Sequence, residues 1–280
     1  MIVLGIDTAT DVVSVAVVDG EVVLAASELR SERRHAEDVT PMIDFVVKRA
    51  GLGLNELAAI AVNVGPGLFT GMRVGIASAQ ALAYALSLPL VGVDGLAAMA
   101  AAVPAATASH VDIVVPTIDA RRSEVAWATH RVNSGGAPER VDASRADMTR
   151  VDAARVGSIE DLLVAIRERA QNCLIVGDFA HRHRDDIMAA LGVQSWTIAF
   201  GDDSLNWPHA KQVALLATRN CCAAMHMNTT HMNTTRMNTS RMITFLGFRR
   251  WRRCICARLM PQSTGHNGAT HEHPQSIFAP

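Results

Sequence analysis

The chain of 280 residues is long enough for one large domain or two lobes, and its 49% of hydrophobic residues suffice for a core built from alanine, valine and leucine. Its five cysteines include an adjacent pair and exclude a disulfide framework, which indicates a reducing compartment. The net charge of −1 combines an acidic segment over 1–222 with a basic one over 223–280, where seven arginines accompany a single acidic residue.

The N-terminus does not have the pattern of a signal peptide, because no basic region precedes the first apolar run and Asp7 interrupts that run. The apolar stretch over 74–93 is long enough to consider as a membrane span. Gln80 and Pro89 within it favour a buried helix and strand instead. We therefore expect a cytoplasmic protein that does not bind a membrane.

The first hundred residues predict an α/β lobe that opens with a three-stranded antiparallel meander. Asp19 and Gly20 separate two β-rich runs and are typical of a hairpin. A helix, an apolar strand, a glycine-rich loop and a second helix follow. The predicted strands are 2–6, 12–18, 21–25, 58–62 and 89–93, and the predicted helices are 35–50, 71–86 and 94–103.

The loop before the helix over 71–86 is the most distinctive stretch of this lobe. Thr70 is predicted to cap the helix, and Phe69 and Val74 to form a hydrophobic staple. A glycine loop at a helix start often binds an anion, but the glycine spacing fits neither the P-loop nor the dinucleotide fingerprint. We favour a tight turn that lets the helix pack closely on its sheet. The residues of this structural loop are Gly65, Pro66, Gly67, Thr70, Gly71 and Gly75.

The next hundred residues predict a second lobe that echoes the first, with a strand over 111–118, an aspartate at its end and a returning strand over 124–132. A polar loop over 133–157 follows, and Ser158 and Asp161 then mark the capping box of a helix. The remaining predicted elements are helices over 158–170 and 184–191, strands over 173–176 and 193–199, and a helix from about 208.

The character of the chain changes near residue 222. A five-residue repeat over 227–240 matches neither helix nor strand periodicity and predicts low complexity and disorder. An arginine-rich stretch over 245–259 suits RNA or an anionic membrane surface, but the abrupt change of composition favours a translated accident such as a repeat expansion. The predicted domains are 1–105, 106–222 and a disordered tail over 223–280.

Asp7 and Asp119 each end the first strand of a lobe, where two-lobed ATPases hold a metal ion and phosphates. That chemistry needs glycines in the adjoining turns, and neither turn contains one. We therefore predict that Asp7, Thr8 and Asp119 form a degenerate nucleotide cleft; the alternative is that the aspartates only accept backbone hydrogen bonds in turns. His35 has no second histidine at helical spacing, so we predict a surface or capping histidine and no metal site.

The helix over 71–86 carries alanine on nearly every face, which lets other helices approach closely. One interpretation is that it is buried inside its own lobe. The other is that one of its faces joins a partner, alongside the helix over 35–50. The pattern of residues is consistent with both.

Four segments, taken together and in order, resemble the TsaB (YeaZ) family. The resemblance implies an α/β fold of two ribonuclease-H-like lobes from the actin/Hsp70/sugar-kinase (ASKHA) superfamily. It also implies a non-catalytic scaffold subunit that works in the bacterial cytoplasm in making threonylcarbamoyladenosine in tRNA. The alternatives are an ATPase or kinase of the same fold and a glycoprotease-like metallopeptidase. The segments are MIVLGIDTAT (1–10), GPGLFTGMRVGIASA (65–79), PLVGVDGLAAM (89–99) and IDARRSEV (118–125).

The resemblance also implies partners. Such a subunit pairs with a TsaD-type transferase through N-lobe helices, recruits a TsaE-type ATPase with it, can form homodimers, and meets tRNA only through the complex. It has no cofactor of its own, since ATP and metal belong to the partner subunits. The residues predicted for the partner interface are His35, Val39, Met42, Met72, Arg73, Ile76, Gln80 and Ala83.

Overall fold

The computed structural model describes residues 1–31, 34–132 and 148–230, and all of them belong to one compact unit. Two β-sheets form the centre of this unit, and helices cover them. None of the helices within these ranges combines the length and the apolar character needed to cross a membrane.

The first sheet begins with the predicted antiparallel meander and continues into two parallel strands. Its strands are β1 (Ile2–Asp7), β2 (Val12–Asp19), β3 (Val22–Arg30), β4 (Ala59–Asn63) and β5 (Leu90–Val93). Their order is β3-β2-β1-β4-β5, in which β1 pairs antiparallel with β2 and parallel with β4. At the hairpin between β2 and β3, Gly20 has a φ of +60°, which glycine adopts without strain.

Alternation along β1 gives this sheet an apolar core on each face. Leu4 lies in the core that is covered by the helices α1 (His35–Arg49) and α2 (Phe69–Leu86). Val3 lies in the opposite core, which is covered by α3 (Gly95–Ala102) and by the last helix of the described chain. The sheet is therefore the middle layer of three.

The second sheet repeats the arrangement of the first. Its strands are β6 (Ile113–Arg121), β7 (Glu124–Trp127), β8 (His130–Val132), β9 (Met148–Arg150), β10 (Arg155–Gly157), β11 (Cys173–Val176) and β12 (Ile198–Phe200). In the order β10-β7-β6-β11-β12, the central strand β6 again pairs antiparallel with one neighbour and parallel with the other. The same strand order therefore occurs in both sheets. The two sheets belong to the pair of ribonuclease-H-like lobes that the resemblance implies.

Along the chain, the helices of the second lobe alternate with its later strands. They are α5 (Ile159–Arg169), α6 (Asp178–Arg182) and α7 (Arg184–Leu191), and the short α4 (Ala105–Ala108) precedes them. The capping box of α5 is present as predicted: the Ser158 hydroxyl accepts the Asp161 N–H at 3.2 Å, and the Asp161 carboxylate accepts the Ser158 N–H at 2.9 Å.

Two predicted elements of this lobe are wrong. The strand over 193–199 is confined to β12, and Val193 is fully exposed. The predicted loop over 133–157 contains β9 and β10, whereas its residues 133–147 lie outside the described ranges. Both errors have one cause: each of these strands has three residues, and such short strands are selected by their neighbours in the sheet rather than by their own pattern.

The position of the last helix, α8 (Ala210–Thr230), differs from the predicted domain boundaries, which place this helix in a second lobe ending at residue 222. It packs on the first sheet, because Gly5 has no side chain to keep it away: a Cβ on Gly5 would lie 2.3 Å from the Ala210 carbonyl oxygen. It also continues to Thr230, past the predicted start of the tail. Residues 231–280 of that tail lie outside the described ranges.

We predict that Gly5→Ala lowers the free energy of unfolding by about 3 kcal/mol, because the new methyl group meets a backbone atom that cannot move alone. Gly20→Ala is the control, since it adds only the cost of a positive φ, about 1 kcal/mol. Urea unfolding of both variants measures the difference. An equal loss in the two would contradict the close contact between β1 and α8.

Candidate functional site

The turn after β1 lies directly against the start of α2. The Thr8 hydroxyl donates to the Gly71 carbonyl oxygen at 2.7 Å. A Cβ on Gly71 would lie 2.2 Å from the Thr8 carbonyl oxygen, and one on Gly75 would lie 2.3 Å from the Thr8 hydroxyl. The two glycines therefore let the helix approach the sheet more closely than any side chain would allow.

The loop between β4 and α2 uses its backbone for contacts inside the lobe. Gly67 has a φ of +157°, and a Cβ there would lie 2.1 Å from the Ala9 carbonyl oxygen. The Leu68 N–H donates to that same oxygen at 2.6 Å, and the Gly65 N–H donates to Asn63 Oδ1 at 2.8 Å. Because these N–H groups already have acceptors, the loop does not present them to an anion, and it positions the helix.

The start of α2 differs from the prediction. The helix begins at Phe69 with Leu68 in the capping position, and Thr70 lies inside its first turn without a capping hydrogen bond. Phe69 is 63% exposed, so it does not form the predicted staple with Val74. The cause is the Leu68 carbonyl, which accepts the Met72 N–H at 2.9 Å and so starts the helix before Thr70.

Asp7 is a fully buried carboxyl group at the end of β1. Its Oδ1 accepts the Ala9 N–H at 2.8 Å and the Asn63 Nδ2 at 3.0 Å, and its Oδ2 has no hydrogen-bond partner among the described residues. Burial raises the pKa of Asp7 to about 7, against the hydrogen bonds that lower it. A carboxyl group in this position is held by the fold and is closed to solvent.

Asp119 lies two residues before the end of β6, among arginines. Arg182 Nη2 lies 2.9 Å from Asp119 Oδ2 and 2.7 Å from Asp178 Oδ2. Arg121 joins the two lobes, since one of its nitrogens lies 3.7 Å from Asp119 Oδ2 and the other 3.7 Å from Asp11 Oδ1. Burial raises the pKa of Asp178, and Arg182 opposes that shift. The carboxylates of this turn are therefore already neutralised by cations of the chain itself.

The turn between β6 and β7 has strained backbone. Arg121, Arg122 and Ser123 have φ values of +69°, +54° and +64°, a region that non-glycine residues rarely adopt. The Asp119 carboxylate accepts the Arg121 N–H at 2.7 Å and helps to hold the first of them. Arg121, the first residue of this turn, lies near Asp11 of the first lobe.

Four residues predicted for a partner interface are buried in the lobe. Val39 is 1% exposed, His35 and Ala83 are 6% exposed, and Met42 is 8% exposed. Val39, Met42 and Ala83 fill the core between α1, α2 and the sheet, and His35 Nε2 donates to the Thr10 carbonyl oxygen at 2.8 Å. This corrects both predictions for these residues: they do not offer contacts to a partner, and His35 is neither a surface nor a capping residue.

Of the other four predicted residues, two lie on the outer side of α2, and Ile76 packs against the core. Arg73 and Gln80 are exposed, and Met72 and Ile76 are half-buried. Two large residues that the sequence did not predict for the interface share this side, Phe69 at 63% and Tyr84 at 89% exposed.

The helical spacing of Phe69, Arg73, Gln80 and Tyr84 puts them on one side of α2, which we call the outer face of α2. Arg73 stacks on the Phe69 ring, with the guanidinium carbon 3.9 Å from the ring centre. Tyr84 is the only tyrosine of the chain, and its helical spacing from Arg73 and Gln80 is the feature of the sequence that could have placed it on this face. Exposed aromatic residues beside an arginine are typical of protein–protein interfaces.

Metal ligands are not clustered within the described ranges, where no group of three or more His, Cys, Asp or Glu side chains is arranged to hold an ion. His130 is buried in β8 without a hydrogen bond to either ring nitrogen from any described residue. Burial lowers the pKa of His130 to about 4, so its ring is neutral at physiological pH.

The family model described as TsaD: tRNA N6-adenosine threonylcarbamoyltransferase matches residues 27–235. Among curated proteins, the tRNA threonylcarbamoyladenosine biosynthesis protein TsaB of Haemophilus influenzae is 42% identical over 122 residues, which are 44% of this chain and 50% of that protein. TsaB of Escherichia coli is 39% identical over 136 residues, 49% of this chain and 58% of that protein. The matches thus span about half the length of these two relatives.

Longer matches cover about four fifths of the chain. TsaB of Bacillus subtilis is 24% identical over 227 residues, 81% of this chain and 91% of that protein. YeaZ from Pseudomonas aeruginosa is a solved structure that superposes with a TM-score of 0.57 at 25% identity, over 81% of this chain and 93% of that one. A second Pseudomonas aeruginosa structure, a protein with similarity to peptidase YeaZ, gives a TM-score of 0.59 at 24% identity, over 80% and 92% of the two chains. The two-lobed fold is therefore shared along most of its length.

We predict a pH-dependent gain of stability from Asp7→Asn. The pKa of Asp7 is about 7 in the folded protein and 3.8 when the group is unperturbed, so the folded state binds the proton more tightly. The wild-type protein therefore loses stability as the pH rises from about 4 to about 7, and the non-titrating variant does not. Relative to wild type, the variant should gain about 3–4 kcal/mol in unfolding free energy between about pH 4 and pH 8.

Urea unfolding at both pH values measures this gain, with Asp44→Asn, an exposed carboxylate on α1, as the control that should show almost none. A pH-independent difference between Asp7→Asn and wild type would contradict the buried, proton-binding state of Asp7.

We also predict that Ser123→Gly raises the free energy of unfolding by about 1 kcal/mol, because glycine adopts the φ of +64° at this turn without a side-chain clash. Ser109→Gly is the control, since Ser109 has an ordinary φ of −63° and glycine there should cost about 0.5–1 kcal/mol. Opposite signs in thermal unfolding are expected, and a loss in both variants would contradict the strain.

Proposed function

We propose that this chain is a non-catalytic subunit in threonylcarbamoyladenosine synthesis on tRNA. It belongs to the family whose model is described as tRNA N6-adenosine threonylcarbamoyltransferase, and it groups with the TsaB (YeaZ) relatives. In this role it binds a TsaD-type transferase and supports its active conformation. The observation that carries the proposal is the outer face of α2, an exposed aromatic surface on a helix whose inner side is locked to the sheet.

The chemistry of the outer face of α2 fits a partner protein. Phe69 and Tyr84 are large, rigid side chains that lose little conformational entropy on binding, and Arg73 adds a charge that can be paired across an interface. The small residues Ala77 and Ala81 lie exposed between them and let a partner helix approach closely.

The non-catalytic part of the proposal is supported by the state of the aspartates. Asp119 and Asp178 share Arg182, and Arg121 spans from Asp119 to Asp11 in the other lobe. A metal–phosphate pair would have to displace these arginines and bring the buried, proton-binding Asp7 into solvent. This favours a supporting role over an independent ATPase or kinase, and the fold carries no argument for a metallopeptidase.

The remaining partners follow from the same role. ATP and metal would belong to the transferase and to a TsaE-type ATPase, tRNA would be met through the assembled complex, and the protein would work in the cytoplasm where tRNA is modified. A homodimer through the outer face of α2 would compete with the transferase for the same residues.

We predict that Tyr84→Ala and Arg73→Ala each weaken binding to the TsaD-type transferase of the same organism by at least about tenfold, since truncated interface anchors commonly cost more than 1.4 kcal/mol. Titration calorimetry of the purified full-length proteins measures the affinity. Both side chains are exposed, so the variants should keep the unfolding temperature of the wild type.

Arg184→Ala is the matched control, because Arg184 stacks on Phe200 in the second lobe with its guanidinium carbon 5.0 Å from the ring centre. It should bind the transferase like the wild type. Unchanged binding by Tyr84→Ala and Arg73→Ala would contradict the assignment of the outer face of α2, and normal tRNA modification in cells that lack this protein would contradict the proposed function itself.

A further inference from the structure

One segment carries the chain from the second lobe back to the first. It runs over 201–209, from the end of β12 to α8 on the first sheet, and we call it the crossover segment. Two backbone hydrogen bonds fasten it to the second lobe. The Gly201 N–H donates to the Ile175 carbonyl oxygen at 2.9 Å. The Asp178 N–H donates to the Asn206 carbonyl oxygen, also at 2.9 Å. Its hold on the first lobe depends on the contacts at its other end.

His209 makes a side-chain contact at that end. Its side chain is only 7% exposed and contacts both β3 and the crossover segment. Nδ1 is hydrogen-bonded to the Glu28 carboxylate, and Nε2 lies 2.7 Å from the Ser204 carbonyl oxygen. Since an ionised carboxylate and a carbonyl can only accept, both ring nitrogens donate and the ring is a cation. A largely buried ion pair therefore joins the crossover segment to β3.

Each partner of this pair stabilises the charge of the other. Burial lowers the pKa of His209, but the hydrogen bonds to Glu28 and to the Ser204 carbonyl raise it by more, so it lies above its ordinary value of 6.5. The hydrogen bond from His209 lowers the pKa of Glu28 below its ordinary value of 4.5, against the effect of burial. The stabilisation from His209 is therefore complete below pH 6.5 and is lost as the pH rises through the folded pKa. That from Glu28 is lost only as the pH falls below 4.5.

Other charges near the ring do not replace this pair. Lys211 disfavours the cation, and Asp7 interacts with it only through space. Asp203 lies 3.5 Å from His181, in the second lobe. The elements packed against the ring carry, besides Glu28, the charged side chains Asp7, Arg30, Asp202, Asp203 and Lys211.

We propose that His209 and Glu28 form a latch between the lobes, which is closed while the ring carries both protons and opens when it loses one. The neutral ring has one donor for two acceptors, so either Glu28 or the Ser204 carbonyl oxygen loses its hydrogen bond. The crossover segment then loosens from β3. The rest of α8 stays in place, because Val213 and Ala214 are fully buried against the first sheet. This inference does not depend on the proposed transferase partner.

Amide hydrogen exchange of the full-length protein, corrected for the pH dependence of the intrinsic rate, tests the latch. Protection of the crossover segment should fall at least about tenfold between about pH 6 and about pH 9, because hydrogen bonds between charged groups are among the stronger ones. The amides of α5 are the internal reference and should keep their protection. Histidine NMR, with His209 assigned from the His209→Gln variant, should give His209 a pKa above 6.5. Equal protection at the two pH values, or a pKa below 6.5, would overturn the proposal.

Glu28→Gln separates the latch from other effects of pH, since the amide keeps the shape and an acceptor oxygen but loses the charge. At about pH 6 it should lower the protection of the crossover segment to the level that the wild type shows at about pH 9, with little further change between them. Glu168→Gln removes an exposed carboxylate on α5 and is the control, which should behave like the wild type. Asp7, whose pKa is about 7, is present in all three proteins and does not account for a difference between them. A full pH dependence that survives in Glu28→Gln would also overturn the proposal.

Discussion

The contact of Thr8 with Gly71 and Gly75 is the constraint on which the first lobe depends. A hydroxyl group that donates to a helix carbonyl at 2.7 Å, with no Cβ on either glycine, fixes both the distance and the rotation of α2. Because the inner side of the helix is held in this way, its outer face is fixed as well. Phe69 and Tyr84 are therefore held in place on a rigid support.

The two lobes repeat one sheet order but treat the turn after their first strand differently. In the first lobe Asp7 is buried beside Asn63, and its pKa rises to about 7. In the second lobe Asp119 remains near the surface and is neutralised by Arg182 and Arg121. Both arrangements use aspartate for internal contacts, and Arg121 lies between Asp119 and Asp11 of the other lobe.

Much of the fold follows from local patterns, because the hairpin at Asp19, the capping box at Ser158 and the strands of the first sheet need only neighbouring residues. The errors arise where distant contacts decide. Thr70 is a good capping residue, but the Leu68 carbonyl starts the helix earlier. The position of α8 depends on Gly5, which lies at the other end of the chain. The candidate site was harder to predict from the sequence, because burial of Val39 and exposure of Tyr84 depend on which side of each helix meets the sheet. Alanine on nearly every face of α2 conceals that side.

We propose that the outer face of α2 is the surface that binds a TsaD-type transferase. Hydroxyl-radical footprinting of the full-length protein, with and without the transferase, tests it directly because both aromatic rings are open to solvent, Phe69 at 63% and Tyr84 at 89%. We expect the transferase to slow oxidation of both residues, while oxidation of the exposed Met188 in the second lobe stays unchanged. Undiminished oxidation of Phe69 and Tyr84 in a complex shown to have formed would contradict it.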